Sequence, residues 1–439
     1  MSDRIVVLGA GISGIGGAVL AKKKGFDVFV SDKGRITNEN KEILLKHKID
    51  WEEGKHTIAN ILNATEVIKS PGIPDQLDLI QILRLKNIPV ISEVEFAFRY
   101  TNAKIAAITG SNGKTTTARL LGQILKKAGY DTLIAGNIGV GFAFSIAQRD
   151  YDYIVLELSS FQLDNIHNFR SDVAILLNIT PDHLDRYDYN LERYIESKFR
   201  ITQNQISTDF LIYNMDDALS NTIQTNAKKL PISLLKKQQE GGYLNNNEII
   251  IKLNNQTMTI QELALQGKHN MFNSMAAAMA ARVFEVKDVV IRQSMIDFQN
   301  VEHRLEHVLT IHGVDFINDS KATNINSCWF ALESMRNDVV WIAGGVDKGN
   351  DYSQLDQMVK DKVKAIICLG DNNQKIIKSF QGKVDTIVQA SSMSEAVNQS
   401  FSLANKGETV LLSPACASFD LFANYEDRGF QFKKAVRSL

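Results

Sequence analysis

The chain has 439 residues, of which 44% are hydrophobic and 23% are charged, and its formal net charge at pH 7 is −1. The length predicts about three domains, and the balanced charge excludes a broad surface for nucleic acid or an acidic membrane. No apolar run reaches the roughly 18 residues of a membrane span, and no export signal follows the first residue, so we expect a cytoplasmic protein. The cysteines lack C-x-x-C spacing, which predicts buried, reduced thiols at Cys328, Cys368 and Cys416.

Residues 1–102 alternate short apolar strands with amphipathic segments, which predicts a Rossmann-like α/β domain. Gly9, Gly11 and Gly14 form G-x-G-x-x-G between the strand RIVVLG and a helical segment, and Asp32 closes the next strand. This is the dinucleotide fingerprint, in which a tight turn and a helix N-terminus favour a phosphate. The motif alone is a weak signal, and a tight strand-to-helix corner without a ligand is the alternative.

Residues 103–300 predict a central P-loop ATPase domain with a mainly parallel sheet. After the strand KIAAIT comes G-x-x-G-K-T, two residues shorter between its glycines than the usual P-loop. Backbone N–H groups are expected to bind phosphate, with Lys114 on the β and γ oxygens and the Thr115 hydroxyl on Mg²⁺. The predicted ATP-binding loop comprises Gly110, Ser111, Asn112, Gly113, Lys114, Thr115 and Thr116.

Two further strands of this domain end in polar residues. Glu157 closes the strand YIVLEL, where α/β sheets bind ligands, and is the best candidate for a metal-binding carboxylate. The strand DVAILLNI runs into TPDHLDRY, which brings His183 and Asp185 to the same edge. A solvated loop histidine is the alternative. Residues 236–260, rich in Asn and Gln, predict hairpins or an exposed loop.

Residues 301–439 contain five apolar strands, each followed by a helix-compatible stretch or a loop. This pattern predicts a second Rossmann-like domain with a parallel sheet and crossover helices.

Longer motifs occur in all three predicted domains: ITGSNGKTT, GNIG, LELSSFQL, NITPDHLDRY, GKHNMFN, HRLE, FINDSKATN and SPACASFD. With them the chain resembles the Mur ligases. The resemblance implies an ATP-dependent amide bond, formed through an acyl phosphate in peptidoglycan precursor synthesis. The implied substrates are UDP-N-acetylmuramoyl-L-alanine, held by the first domain, and D-glutamate, received by the third. We expect a monomer that binds neither nucleic acid nor membrane.

The resemblance also implies two Mg²⁺ ions, for which Mn²⁺ can substitute. One ion is assigned to Thr115 and Glu157, and the other to His183 and a carbamylated Lys198. Composition alone would make Lys198 a solvated helix lysine. Carbamylation requires the neutral amine, so this lysine must lose its proton more readily than a free one. The implied catalytic residues are Lys114, His183 and Lys198.

Further residues are assigned to the substrates by the same resemblance. The nucleotide is expected to contact Asn273, Arg304 and Asp319 in addition to the loop. The UDP-linked substrate is expected to contact Gly11, Ile12, Ser13, Asp32, Lys33, Gly72, Asn137 and Ser160. The D-glutamate is expected to contact Lys321, Thr323, Lys348, Ser418 and Tyr425. Tyr425 departs from the family, which commonly has phenylalanine there.

Three other functions stay open at the level of sequence. A folylpolyglutamate synthase shares the shortened loop, but that family lacks the first, UDP-type domain. A nicotinamide-dependent dehydrogenase would use GAGISG, and it leaves the GKTT loop and Glu157 without a role. A non-catalytic nucleotide-binding scaffold would not need Lys198, His183 and Lys348 together.

Overall fold

In a computed structural model, the structure describes residues 3–246, 248–263, 267–298 and 302–439. These residues divide into two compact units, residues 3–263 with 270–298 and residues 267–269 with 302–439.

Of the two predicted domain boundaries, one lies outside the described residues and the other lies within the first unit. The boundary between residues 300 and 301 lies outside the described residues. The boundary between residues 102 and 103 lies inside the first unit and stays a prediction.

Residues 3–102 form a parallel sheet with helices between its strands. The elements are β1 (Arg4–Leu8), α1 (Ile12–Lys23), β2 (Asp27–Asp32), α2 (Asn38–Lys46), β3 (Asp50–Glu53), α3 (Ile58–Ile61), β4 (Glu66–Lys69), α4 (Asp78–Leu85), β5 (Val90–Ser92) and α5 (Glu93–Phe98). The strand order is β3-β2-β1-β4-β5, all parallel, with the switch point between β1 and β4. The glycine turn after β1 and the turn after β4 therefore meet where open α/β sheets bind ligands.

The central sheet has nine strands within the described residues. The elements are β6 (Lys104–Thr109), α6 (Lys114–Lys127), β7 (Thr132–Gly136), α7 (Phe142–Ile146), β8 (Tyr153–Glu157), α8 (Ser160–Leu163), β9 (Val173–Leu176), α9 (Leu191–Phe199), β10 (Phe210–Asn214), β11 (Lys228–Ser233), β12 (Gly241–Asn245), β13 (Glu248–Leu253), β14 (Gln256–Ile260), α10 (Lys268–Val283) and α11 (Asp288–Asp297). The order is β14-β13-β12-β11-β10-β9-β6-β8-β7. Among the described residues, the antiparallel pairs of this sheet are β12 with β13 and β13 with β14, so the predicted hairpins are present and the sheet is mainly parallel.

The second unit contains a six-stranded sheet. The elements are β15 (Glu306–Ile311), β16 (Val314–Asn318), α12 (Ile325–Ser334), β17 (Val339–Ala343), α13 (Asp356–Lys362), β18 (Val363–Leu369), α14 (Gln374–Phe380), β19 (Thr386–Ala390), α15 (Met393–Leu403), β20 (Thr409–Leu412) and α16 (Tyr425–Val436). The order is β15-β16-β20-β17-β18-β19, with β15 antiparallel and the other pairs parallel. Short 3₁₀ helices cover Leu184–Tyr187, Arg200–Thr202, Ser220–Thr222 and Tyr352–Leu355.

The first and central sheets form one unit because they share a hydrophobic core, which runs from Ile5 to Ala227. Two buried carboxyl groups of α5 accept hydrogen bonds at this junction. Glu93 accepts a hydrogen bond from the Ala143 amide at 2.5 Å, and burial raises the pKa of Glu93 to about 7. Glu95 accepts hydrogen bonds from three consecutive amides, residues 167–169, at 2.8 to 3.0 Å.

All three cysteines are buried and free, as predicted. Among the described residues, no helix combines the length and the apolar character needed to span a membrane.

Candidate active site

The glycine turn after β1 contains glycines with two different roles. A Cβ on Gly14 would lie 1.8 Å from the Gly9 carbonyl oxygen, so only glycine permits this packing. A Cβ on Gly11 would meet no heavy atom within 4 Å. Gly14 is therefore required by the fold, whereas Gly11 leaves open space beside the N-terminus of α1, where a phosphate can approach.

Asp32 holds this turn in place. Its carboxylate accepts hydrogen bonds from the Ala10 amide at 2.6 Å and from the Gly34 amide at 2.7 Å. Ile12 exposes 68% of its surface in the first turn of α1, so it offers an apolar contact at the rim. The other residues predicted to contact the UDP-linked substrate from this sheet are the exposed Lys33 and Gly72 and the half-buried Ser13.

The shortened P-loop connects β6 to the N-terminus of α6. Gly113 has a φ of 88°, and a Cβ there would lie 2.2 Å from the Asn273 side-chain oxygen. Asn273 is buried on α10 and also accepts a hydrogen bond from the Thr117 hydroxyl at 3.3 Å. Asn273, which is predicted to contact the nucleotide, thus packs against the loop at Gly113.

A second element supports the same loop from the end of β9. The Asn178 side chain accepts from the Asn112 amide at 2.8 Å, and the Ser111 hydroxyl donates to the Thr180 carbonyl at 2.8 Å. Within the described residues, the buried Thr116 hydroxyl has no hydrogen-bond partner. The bonds of Asn112 and Ser111 therefore hold the loop in its predicted place.

Lys198 is fully buried on α9, so the alternative of a solvated helix lysine is wrong. Its ammonium donates to the Gly110 carbonyl at 3.0 Å and lies 4.5 Å from the centre of the Tyr194 ring. Burial, and next the charge of Lys114, hold the pKa of Lys198 well below its usual value. Both causes expected from the sequence, desolvation and a nearby cation, are present.

The candidate metal ligands Thr115 and Glu157 are in contact. The Thr115 hydroxyl donates to one Glu157 oxygen at 2.7 Å, and the Asn137 amide group donates to the other at 3.2 Å. Hydroxyl and carboxylate oxygens are the hard donors that Mg²⁺ prefers, so these residues fit the ion. The described part of the chain contains no cluster of three or more His, Cys, Asp or Glu side chains suited to a metal. Further ligands would have to come from nucleotide and water.

His183 lies in a left-handed conformation, with a φ of 52°, and 42% of its side chain is exposed. Its ring packs edge-on against Phe161 at 5.4 Å between centroids. Ser160, which begins α8 beside Phe161, is buried, and its carbonyl accepts from the Ser197 hydroxyl at 2.9 Å. This bond ties α8 to α9 next to Lys198.

In the second unit, Asp319 follows β16 and is buried. It accepts hydrogen bonds from the Leu305 amide at 3.2 Å and from the Ser413 hydroxyl at 3.0 Å. Burial raises the pKa of Asp319 to about 7, against the opposing charge of Arg304. The predicted nucleotide residues Arg304 and Asp319 are therefore electrostatic neighbours.

Two of the residues predicted to bind the amino acid are in contact. Lys321 donates to the Tyr425 hydroxyl at 3.2 Å. Ser418 is buried, Thr323 is half-buried and Lys348 is exposed.

A buried arginine that the sequence did not reveal supports this region. Arg428 donates to the Ser320 carbonyl at 2.8 Å and to the Cys416 carbonyl at 3.1 Å. Burial lowers the pKa of Arg428 to about 10.

Sequence reasoning missed other supporting residues in the central domain as well. Asn178 carried a usable signal, because it is the polar residue that ends the apolar run DVAILLN. Tyr194 carried another, since it precedes Lys198 by four residues on an amphipathic helix and must share its face. Arg428 carried none, because a single arginine in a terminal helix is usually exposed.

Three family models match successive parts of the chain: MurD N-terminal domain over residues 4–78, Mur ligase middle domain over residues 108–281, and Mur ligase, glutamate ligase domain, over residues 303–416. A protein of Christiangramia forsetii named UDP-N-acetylmuramoylalanine--D-glutamate ligase is 54% identical over the whole of both chains. The chain belongs to the Mur ligase family. As a Mur ligase it is an ATP-dependent enzyme that forms an amide bond, and the predicted three-domain α/β fold is confirmed.

Other Mur ligases of the same name are similar over nearly the full length. The Bacteroides fragilis protein is 52% identical over 99% of this chain and 100% of its own. Among solved structures, a pseudomurein peptide ligase type C from Methanothermus fervidus covers 99% of both chains, with a TM-score of 0.65 and 20% identity. UDP-N-acetylmuramate-alanine ligase MurC from Thermotoga maritima covers both chains fully, with a TM-score of 0.63 and 17% identity. At these identities the two structures support the fold alone.

Proposed function

We propose that this Mur ligase joins D-glutamate to UDP-N-acetylmuramoyl-L-alanine in the cytoplasm, at the expense of ATP. The observation that carries the proposal is the buried Lys198 at the back of the P-loop, where its ammonium meets the Gly110 carbonyl. In an ordinary P-loop ATPase a single lysine, the equivalent of Lys114, contacts the phosphates. A second buried lysine beside the loop therefore indicates an additional chemical role. The substrates are those in the names of the full-length relatives.

A carboxylate does not react with an amine at neutral pH because its leaving group would be oxide, so it must first be activated. The terminal carboxylate of the UDP-linked substrate attacks the γ-phosphorus of ATP, and ADP leaves. The amine of D-glutamate, once deprotonated, adds to the carbonyl carbon of the resulting acyl phosphate. The tetrahedral intermediate then collapses to the amide with loss of inorganic phosphate.

The chain's own residues position these groups. The loop amides at the N-terminus of α6 bind the phosphates, and Lys114 reaches their β and γ oxygens. Thr115 and Glu157 would hold one Mg²⁺, and His183 with a carbamylated Lys198 would hold the second. Metal ions bound there would supply positive charge against the repulsion between the γ-phosphate and the attacking carboxylate. Gly11, Gly72, Asn137 and Ser160 are proposed to contact the UDP-linked substrate.

The lowered pKa of Lys198 supports the carbamate, because only a neutral amine adds to CO₂. The adduct converts a buried cation into an anion, which suits a metal site and removes the repulsion with Lys114. In the second unit, Arg304 and Asp319 are proposed for the nucleotide. Lys321, Thr323, Lys348, Ser418 and Tyr425 are proposed for D-glutamate, and Lys348 supplies an exposed counter-charge for its carboxylates.

Phosphate release tests the proposal directly. The purified chain is incubated with ATP, Mg²⁺ and UDP-N-acetylmuramoyl-L-alanine, and then with D-glutamate, L-glutamate or L-lysine. We expect release that depends on D-glutamate and on the UDP-linked substrate, and its loss in Lys114→Ala. Release that requires L-lysine instead, or a folate in place of the UDP-linked substrate, would assign another ligase. NADH consumption without phosphate release would assign a dehydrogenase.

A further inference from the structure

Arg186 is a residue of the 3₁₀ helix Leu184–Tyr187 that none of the roles above includes. Its guanidinium donates to the carbonyl of Pro71 at 3.2 Å and to the carbonyl of Gly72 at 3.3 Å. The Arg186 carbonyl in turn accepts from the Gln76 side chain at 3.0 Å. One residue of the central domain is thus bonded, in both directions, to the turn after β4.

The same guanidinium lies over the aromatic ring that contacts His183. Its central carbon is 4.3 Å from the centre of the Phe161 ring, and the Phe161 ring packs edge-on against His183 at 5.4 Å. Phe161 also stacks with Tyr187 at 6.0 Å. Arg186 therefore fixes the ring against which His183 rests, as well as the turn that contains Gly72.

We infer that Arg186 is a positioning residue, which sets the turn that binds the UDP-linked substrate relative to the His183 metal site. This inference rests on the proposed function, since it assumes those roles for Gly72 and His183. The substrate must lie with its UDP end at the first sheet and its carboxylate at the P-loop. A side chain that bonds the turn of Gly72 and contacts the ring packed on His183 sets the distance between these two places, and with it the position of the carboxylate along this path.

A planar cation is needed for this role. A guanidinium can donate to two carbonyl oxygens and lie over a ring face at the same time. An ammonium lacks both the planar set of N–H donors and the flat face. Arg186 is only half-buried, and it borders a cavity of about 140 Å³ that Arg193 also lines, so a smaller side chain would not collapse a core. Arg193 is an ideal control because its ion pair with Asp188 involves neither turn nor ring.

The test measures binding of UDP-N-acetylmuramoyl-L-alanine by calorimetry, without ATP or metal, in wild type, Arg186→Ala, Arg186→Lys and Arg193→Ala. We expect Kd to rise on the order of 10-fold in Arg186→Ala, to recover only in part in Arg186→Lys, and to stay unchanged in Arg193→Ala. Steady-state assays should show a higher Mg²⁺ requirement in both Arg186 variants, because His183 loses its support. Calorimetry with ADP and the thermal unfolding midpoint should match wild type.

The outcomes separate the two proposals. Failure of the wild-type chain to bind the UDP-linked substrate would contradict the proposed function itself. Wild-type binding with an unchanged Kd and Mg²⁺ requirement in Arg186→Ala would overturn the positioning role. If Arg186→Ala unfolds, Arg186→Lys decides: complete recovery of Kd and turnover there would also overturn the role, since a lysine cannot make all three contacts.

Discussion

Lys114 and Lys198 donate to the same acceptor, the carbonyl oxygen of Gly110, at 2.8 and 3.0 Å. Two ammonium groups around one carbonyl repel each other, and burial denies Lys198 the water that would screen the repulsion. Burial and the nearby charge of Lys114 therefore favour the neutral amine of Lys198. In this respect Lys198 differs from an ordinary, solvent-exposed helix lysine.

Carbamylation of Lys198 is the first consequence. We expect intact mass spectrometry under bicarbonate to show one bound CO₂ that is absent in Lys198→Arg, because a guanidinium stays protonated. Activity should fall on the order of 100-fold in Lys198→Arg. Lys126→Arg, on the exposed face of α6, is the matched control and should keep both the adduct and the activity. Full activity of the wild type in CO₂-free buffer would contradict this prediction.

The Thr115 hydroxyl should govern the metal requirement. Thr115→Val removes the donor to Glu157 and a hard oxygen ligand, so the Mg²⁺ concentration for half-maximal activity should rise about 10-fold or more. Thr115→Ser retains the hydroxyl and should stay within about 3-fold of wild type. A Mg²⁺ titration of phosphate release checks both variants. Equal behaviour of valine and serine would remove Thr115 from the metal site.

Gly11 and Gly14 should respond in opposite ways to alanine. Gly11→Ala has free space on the protein side, so its thermal midpoint should lie within about 2 °C of wild type. Its affinity for the UDP-linked substrate should fall on the order of 10-fold, because the methyl group occupies the phosphate approach. Gly14→Ala should lose about 3 kcal/mol of stability, since its Cβ meets the Gly9 carbonyl. A stable Gly14→Ala would show that the turn can relax.

Glu93 should make stability depend on pH. Burial raises its folded-state pKa from 4.5 to about 7, so the folded chain binds this proton more tightly than the unfolded chain. The stabilising contribution of Glu93 is therefore complete below about pH 4.5 and is lost as the pH rises through about 7. Glu93→Gln does not titrate and can still accept from Ala143. Relative to wild type, it should gain about 3 kcal/mol between pH 4.5 and pH 8.

Denaturant unfolding at both pH values measures the Glu93 effect. Glu42→Gln, at an exposed position of α2, is the control and should follow the wild-type pH profile. A Glu93→Gln profile parallel to that of wild type would mean that the buried carboxyl titrates normally.

The Tyr425 hydroxyl should matter little for the amino acid. The hydroxyl accepts a hydrogen bond from Lys321, and Tyr425→Phe removes this neutral-to-charged bond. We expect the KM for D-glutamate to stay within about 5-fold of wild type. A rise of about 100-fold would place the hydroxyl on a substrate carboxylate instead.

The sequence predicted the elements that carry strong local signals. Glu157 was correctly predicted at the C-terminal end of β8, and Lys114 at the start of α6. Strand periodicity and the glycine-rich loop are local signals for these two positions. The burial of Lys198 was not predictable from composition, since it depends on a carbonyl 88 residues away in the chain. The shared core of the first two sheets escaped prediction for the same reason, because Glu93 and Glu95 find their partners only in the folded chain.

Asp32 determines how the glycine turn meets a ligand. Both of its oxygens accept hydrogen bonds from main-chain amides, those of Ala10 and Gly34, so the protein's own groups hold the shape of the turn. The entropic cost of ordering that segment is met during folding and not during ligand capture. Association with a nucleotide sugar should therefore proceed in one kinetic phase at this turn, without a slow ordering step.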